Sequence, residues 1–239
     1  MKKTRMYSKL AKYYDKMHHF MNYQGQVDFI IKQFKKHNQS GKKNVLDVAC
    51  GTGNHANLLM KGGFNIVGID KSNYMLEQAR KKNKSIKYVL GDMKDFKLDE
   101  KFDLVICMYN SILYNLNKEE IKKTLINFKE HLDNGGILIF DAFEKSAGIE
   151  KKDFLYELKE DNIHIISVYL TRYNQKDNHI IFDNYFIINE ELVHDYHIAG
   201  AFTHHDIVDT LREVGFEIII AEKFRNAFSY TYVCKKKSS

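Results

Sequence analysis

The chain has 239 residues, 44% hydrophobic and 28% charged, the balance of an ordinary folded domain and not of a fibre or a disordered segment. Its 37 basic residues against 31 acidic ones leave a formal charge of +6, scattered along the chain instead of gathered beside aromatics, which argues against a nucleic-acid partner. Cys50, Cys107 and Cys234 form no C-x-x-C pair, no run approaches the ~18 apolar residues of a membrane span, and no apolar core follows the first charges. A cytoplasmic protein with thiols used for packing is expected.

In chain order, residues 7–22 carry apolar and aromatic residues at mixed helical spacing, and 27–37 read as a second helix with Phe29, Ile30, Ile31 and Phe34 on one side. A short apolar strand at 44–49 then runs into a glycine turn. Helix 54–61, strand 65–69, helix 74–83, strand 86–90, strand 103–108, helix 118–132 and strand 136–141 follow. Five strands alternating with helices in short units imply an α/β protein with a doubly wound, mostly parallel sheet, whose ligand lies beyond the carboxyl ends of the strands. From about residue 163 the rhythm changes. Runs at 163–173, 179–188 and 191–199 alternate without helices between them, as in an antiparallel meander. A helix returns at 204–214, then a hairpin at 217–224 and 229–234, and Lys235–Lys237 read as a frayed tail. The expected organisation is a helical cap at 1–40, a cofactor-binding core at 41–144, a β-rich insertion or lid at 145–200, and a final helix with a strand pair at 201–239. An exposed edge of the meander offers a route to a homodimer.

The chemistry concentrates at Val45–His55, V-L-D-V-A-C-G-T-G-N-H. Gly51-Thr52-Gly53-Asn54-His55-Ala56 satisfies G-x-G-x-x-A, and Asp70 lies about twenty residues on, a weak match on its own that admits a nicotinamide dinucleotide and an oxidoreductase. Asp47 opposes that reading, since a carboxylate four residues before the first glycine would repel a pyrophosphate. It suits a cofactor with an ammonium and a sulfonium and no phosphate, S-adenosylmethionine. Asp70 can accept from ribose hydroxyls in either case, and Asp92 with Met93 can meet an adenine.

These residues, with Gly91–Phe96 (G-D-M-K-D-F) and Phe102–Ser111 (F-D-L-V-I-C-M-Y-N-S), resemble the class I S-adenosylmethionine-dependent methyltransferases. The motif order is most similar to the enzymes that N,N-dimethylate nucleotide-linked amino sugars, which share a Tyr-Asp pair like Tyr14-Asp15. The resemblance implies a seven-stranded Rossmann-like methyltransferase sheet, with an antiparallel β insertion after the fifth strand. It implies cofactor contacts from Ala49, Gly51, Gly53, Asp70, Lys71, Met75, Asp92, Met93 and Met108, alongside Asp47, with Tyr14 closing over them. The chain departs from the sugar enzymes at 141–144 and 225–228, both near the acceptor in that family. A small-molecule acceptor is therefore expected, with an amine favoured over a hydroxyl. A nicotinamide oxidoreductase and a non-catalytic cofactor-binding protein are the rival readings.

An amine acceptor must present a free lone pair, so a proton acceptor or a desolvating pocket is needed. Tyr14, Tyr114 and His18 are the candidates for that side of the site, with Tyr109, His19, Tyr196 and His197 behind them. Adjacent His18 and His19 point about 100° apart on a helix, so at most one can face the site. His204-His205-Asp206 superficially suggests a metal cluster. Thr203-x-x-Asp206 before an apolar run reads better as a helix cap, and no metal is expected.

Overall fold

The computed structural model describes residues 4–38, 40–145, 153–160, 162–223 and 229–237. The departure at 225–228 lies outside the described residues.

Strands β1 (Asn44–Val48), β2 (Asn65–Asp70), β3 (Lys87–Leu90), β4 (Phe102–Cys107) and β5 (Leu132–Phe143) pair in parallel in the order β5-β4-β1-β2-β3. Two late strands, β10 (Phe216–Lys223) and β11 (Ser229–Lys236), complete the seven-stranded sheet, with β11 antiparallel to β5 and β10 outermost. The period of two sends alternate side chains to opposite faces. Val45, Leu104 and Ile106 meet α2 (Tyr23–His37), α3 (Asn54–Lys61) and α4 (Asn73–Lys82). Leu46, Val105 and Cys107 meet α5 (Lys118–His131) and α6 (His204–Val214). Each long helix starts on a polar side chain that accepts an orphan N–H: Asn22 from Gly25, Ser72 from Met75, Asn117 from Glu120. Thr203 and Asp206 form the anticipated reciprocal capping box on α6. None of the described helices is long and apolar enough to cross a membrane.

Three sequence expectations need correction. Residues 7–22 are not one helix: a 3₁₀ turn at Ala11–Tyr13 leads into a single helical turn, α1 (Tyr14–Met17). Their apolar residues serve two surfaces, since Met6, Leu10, Tyr14 and Met17 pack against Met75 of α4 and against Ile165, Phe186 and Val193 of the insertion, so no single helical stripe is selected. The insertion is a separate four-stranded sheet, β6 (Phe154–Glu160), β7 (Ile163–Asn174), β8 (His179–Ile188) and β9 (Glu191–Gly200), not three strands. Strand β6 escapes a hydrophobicity reading because it is a largely exposed edge with charges interleaved. Lys235 and Lys236 are no frayed tail: they end β11, and the Lys236 ammonium donates to the Leu132 carbonyl at 2.5 Å.

Candidate active site

The strand order reverses between β1 and β4, and both strands leave the sheet there through left-handed backbone. After β1, Ala49, Gly51 and Gly53 have φ of 57°, 57° and 76°. After β4, Tyr109 and Asn110 have φ of 62° and 57°. Three of these five are not glycine and carry a steric penalty of roughly 1–2 kcal/mol each, strain of the kind that concentrates at functional sites. At Gly53 a side chain is barred twice over, by its φ and because a Cβ would stand 2.5 Å from the Tyr88 hydroxyl.

Two cavities meet at this switch point. The first, about 710 Å³, is walled by Asp47, Ala49 and Gly51 after β1, by Asp70, Lys71 and Met75 after β2, and by Met93, Met108 and Tyr114 beyond. Asp47 is 2% exposed, and its Oδ2 accepts no hydrogen bond. Burial, aided by nearby Asp70, pushes its carboxyl from 3.8 up to about 8 against the Ala56 N–H that favours the charged form. An orphaned buried oxygen costs about 1–3 kcal/mol, which a cationic donor in the cavity would remove. Asp70 is also held above the usual carboxylate range by burial, although it accepts the N–H groups of Gly51 at 2.9 Å and Ser72 at 2.8 Å. A pyrophosphate brings no donor for the orphaned Asp47 oxygen. The two acids fit a cofactor that brings an ammonium and ribose hydroxyls.

The N-terminal segment forms the roof. Tyr14 is buried, its ring stacked 4.2 Å from His18. Asp15 hooks α1 to the glycine loop by accepting from Thr52 Oγ1 (2.6 Å) and Asn54 Nδ2 (2.9 Å), and it pairs with Lys82 at 2.7 Å. Asp195 of β9, wholly buried, holds the preceding residues through Thr4 Oγ1 (2.8 Å) and the N–H groups of Arg5 (2.5 Å) and Met6 (2.8 Å). Its other oxygen meets His197 Nδ1 at 2.9 Å. Burial would raise the Asp195 carboxyl, but His197, Met6 and Thr4 outweigh it and hold the group below its usual value. Tyr7, thus placed, shares a 2.5 Å hydrogen bond with the Tyr114 hydroxyl.

The second cavity, about 800 Å³, shares Tyr7, Met108, Tyr109, Tyr114 and His197 with the first and extends beneath the insertion sheet to His18, Tyr169, Phe182 and Asp141. His18 donates Nδ1–H to the Tyr14 carbonyl at 2.9 Å, leaving Nε2 as the acceptor. Burial lowers its imidazolium to about 4, so the ring is neutral at pH 7.

Of the residues expected from sequence, Tyr14, Asp47, Ala49, Gly51, Asp70, Lys71, Met75, Met93, Met108 and Tyr114 gather around the first cavity. Asp92 and Gly53 do not wall it. Asp92 accepts the Lys94 N–H at 3.0 Å and shapes the turn after β3, leaving Gly91 and Met93 to face the cavity, and Gly53 caps α3. His18 walls the second cavity, and His19 turns outward to the Lys16 carbonyl. The Cys50 and Cys107 thiols are pushed up by burial, which suits packing and not nucleophilic attack. Sequence reasoning overlooked Tyr7 and the anchoring by Asp15 and Asp195, and it placed 141–144 near the acceptor without a role for Asp141. An acid inside an apolar strand, as in I-F-D-A-F or L-V-H-D-Y, was the available signal.

A family model described as a methyltransferase domain matches residues 45–136, from β1 into β5. A glycine/sarcosine N-methyltransferase from Aphanothece halophytica is 30% identical over 217 residues, covering 82% of this chain and 81% of that one. A dTDP-3-amino-3,4,6-trideoxy-alpha-D-glucopyranose N,N-dimethyltransferase from Streptomyces venezuelae is 38% identical over 100 residues, 42% of each chain. Other curated methyltransferases match over 39% to 58% of their own length. The crystal structure of Streptomyces venezuelae DesVI shares the fold with a TM-score of 0.84 at 23% identity, covering 94% of this chain and 97% of that one. With its sheet order, its paired acids and these relatives, the chain belongs to the class I S-adenosylmethionine-dependent methyltransferases, a family in which amino-sugar N-methyltransferases are among its relatives.

Proposed function

We propose that this enzyme methylates an amine nitrogen of a small molecule. The carrying observation is the pair of cavities that share Tyr7, Met108, Tyr109, Tyr114 and His197 as common walls, so that a donor in one and an acceptor in the other meet without crossing solvent. The N-methyltransferases among the relatives support an amine over a hydroxyl.

Asp47 would take the cofactor's ammonium and Asp70 its ribose, with Met75 and Met93 against the adenosine and Met108 toward the sulfonium. Bound there, S-adenosylmethionine supplies an electrophilic methyl group. The chain's contribution is alignment and dryness. Tyr14 and Tyr7 roof the junction, fastened by Asp15 and Asp195. Burial pushes the phenols of Tyr7, Tyr14 and Tyr114 up, so they act as neutral hydrogen-bonding groups and not as bases. Neutral His18 offers a lone pair to an N–H of the acceptor. It is too weak a base to hold an alkylammonium proton, so its role is orientation.

The test is transfer of labelled methyl from S-adenosylmethionine to a panel of small amines and matched alcohols. Label on amines supports the proposal. Label only on alcohols, or on neither while S-adenosylhomocysteine binds, refutes it.

A further inference from the structure

The walls of the second cavity are chemically one-sided. Phe20, Tyr109, Phe143, Tyr156, Tyr169 and Phe182 supply aromatic surface, and among the described residues the walls include no lysine or arginine. Lys71 stands on the cofactor side, its Nζ 5.4 Å from the Tyr114 ring. The acid of the second cavity is Asp141, at the carboxyl end of β5 and 8% exposed. Burial pushes its carboxyl up to about 6, against the Asn110 N–H that Oδ1 accepts at 2.7 Å and the Tyr109 N–H, both of which favour its charge. The strained left-handed pair after β4 thus wraps this carboxylate with backbone donors. Among the described residues no cationic side chain contributes to its charge balance.

A buried carboxylate with no counter-ion among the described residues, in a cavity walled by aromatic rings, attracts a cation. We propose that the second cavity is a cation site for the acceptor's nitrogen: Asp141 holds the amine as its ammonium, the proton passes to water before the freed lone pair displaces the cofactor's sulfur, and the carboxylate meets the positive charge that returns to nitrogen with the methyl group. This deepens the amine-methyltransferase reading and rests on it for the word acceptor. Among the described walls a cationic acceptor nitrogen finds a carboxylate and aromatic surface, and an anionic group finds no lysine or arginine. A methylated product nitrogen is itself a cation, so the same site retains product and an analogue of product is a suitable probe.

The experiment is calorimetry on the full chain saturated with S-adenosylhomocysteine. Choline is compared with dimethylbutanol, its uncharged carbon isostere, and with a nucleoside diphosphate. Choline is expected to bind at least about tenfold tighter than the isostere. Asp141→Asn keeps an acceptor for the Asn110 N–H, and should lower choline affinity about tenfold while S-adenosylhomocysteine and dimethylbutanol bind as before. Equal affinity for choline and isostere, no choline binding, tighter binding of the nucleoside diphosphate, or indifference to Asp141→Asn would overturn the proposal. If the variant fails to bind S-adenosylhomocysteine, the wild-type comparison of choline with its isostere decides alone. Choline selectivity without methylation of any amine would sink the function and spare the site. Amine methylation without choline selectivity would do the reverse.

Discussion

Replacing Asp47 by asparagine preserves the shape of the β1 exit and removes its ionisable group. In the free protein the wild-type carboxyl is pushed from 3.8 to about 8, chiefly by burial. Each tenfold is worth roughly 1.4 kcal/mol, so full ionisation there opposes folding by roughly 6 kcal/mol. Below pH 4 the group is protonated in both folded and unfolded chains and has no effect. As pH rises from about 4 to about 8 the unfolded chain releases this proton and the folded one keeps it, so cofactor-free wild type loses stability across that window and levels off above it. The asparagine variant lacks this contribution. A cofactor ammonium beside Asp47 restores the ionised form, so binding at pH 7 should expel about 0.9 proton from Asp47, against about 0.1 taken up by the cofactor's own amine. The chain has no tryptophan, which makes calorimetry preferable to intrinsic fluorescence. Titrating S-adenosylhomocysteine in phosphate and in Tris should give a net release close to 0.8 proton for wild type, and close to zero with at least about tenfold weaker binding for Asp47→Asn. Equal proton release by the two proteins would refute the assignment of this carboxylate.

Asp195→Ala removes the acceptor for three donors of the N-terminal segment and for His197. Hydrogen bonds to a buried charge contribute about 1.5–3 kcal/mol each but not additively, so a loss of at least about 3 kcal/mol in denaturant unfolding is expected. Because the Asp195 carboxyl lies below its usual value, its contribution is present above about pH 4 and fades as pH falls through the depressed value, and the gap between variant and wild type should narrow in acid. Asp15→Ala cuts α1 loose from Thr52, Asn54 and Lys82 while the sheet stays intact. The group is partly exposed, so global stability should change by under about 1 kcal/mol. S-adenosylhomocysteine affinity should fall roughly three- to tenfold, and unchanged affinity would show that α1 does not close the cofactor site.

The parallel core was legible because each of its elements obeys one local rule. Strand β1 is an apolar run ended by a glycine turn, and α3 to α6 show clean helical periodicity, with α4, α5 and α6 started by polar side-chain caps. Asp47 and Asp70 were legible because acids at the ends of apolar strands face the switch point. Asp92 has the same local signature, and its Oδ1 also accepts the Lys94 N–H, a contact that depends on the turn after β3 and not on pattern. The N-terminal segment was misread because its residues divide between α4 and the insertion, a tertiary demand with no sequence period. Asp141 and Asp195 do their work across the molecule, one against a loop after β4 and the other against residues 4–6, so neither role is written nearby in the chain.

The clasp between Asp195 and residues 4–6 also dictates an order of assembly. Its partners are separated by 189 to 191 positions, and β11, which joins β10 to β5, comes later still. Closing a loop of that length is the slow, entropically expensive kind of contact, and it forms after the local βα units. During synthesis the roof of the site therefore settles after the parallel core β1–β5, because residue 195 is made after all of those strands.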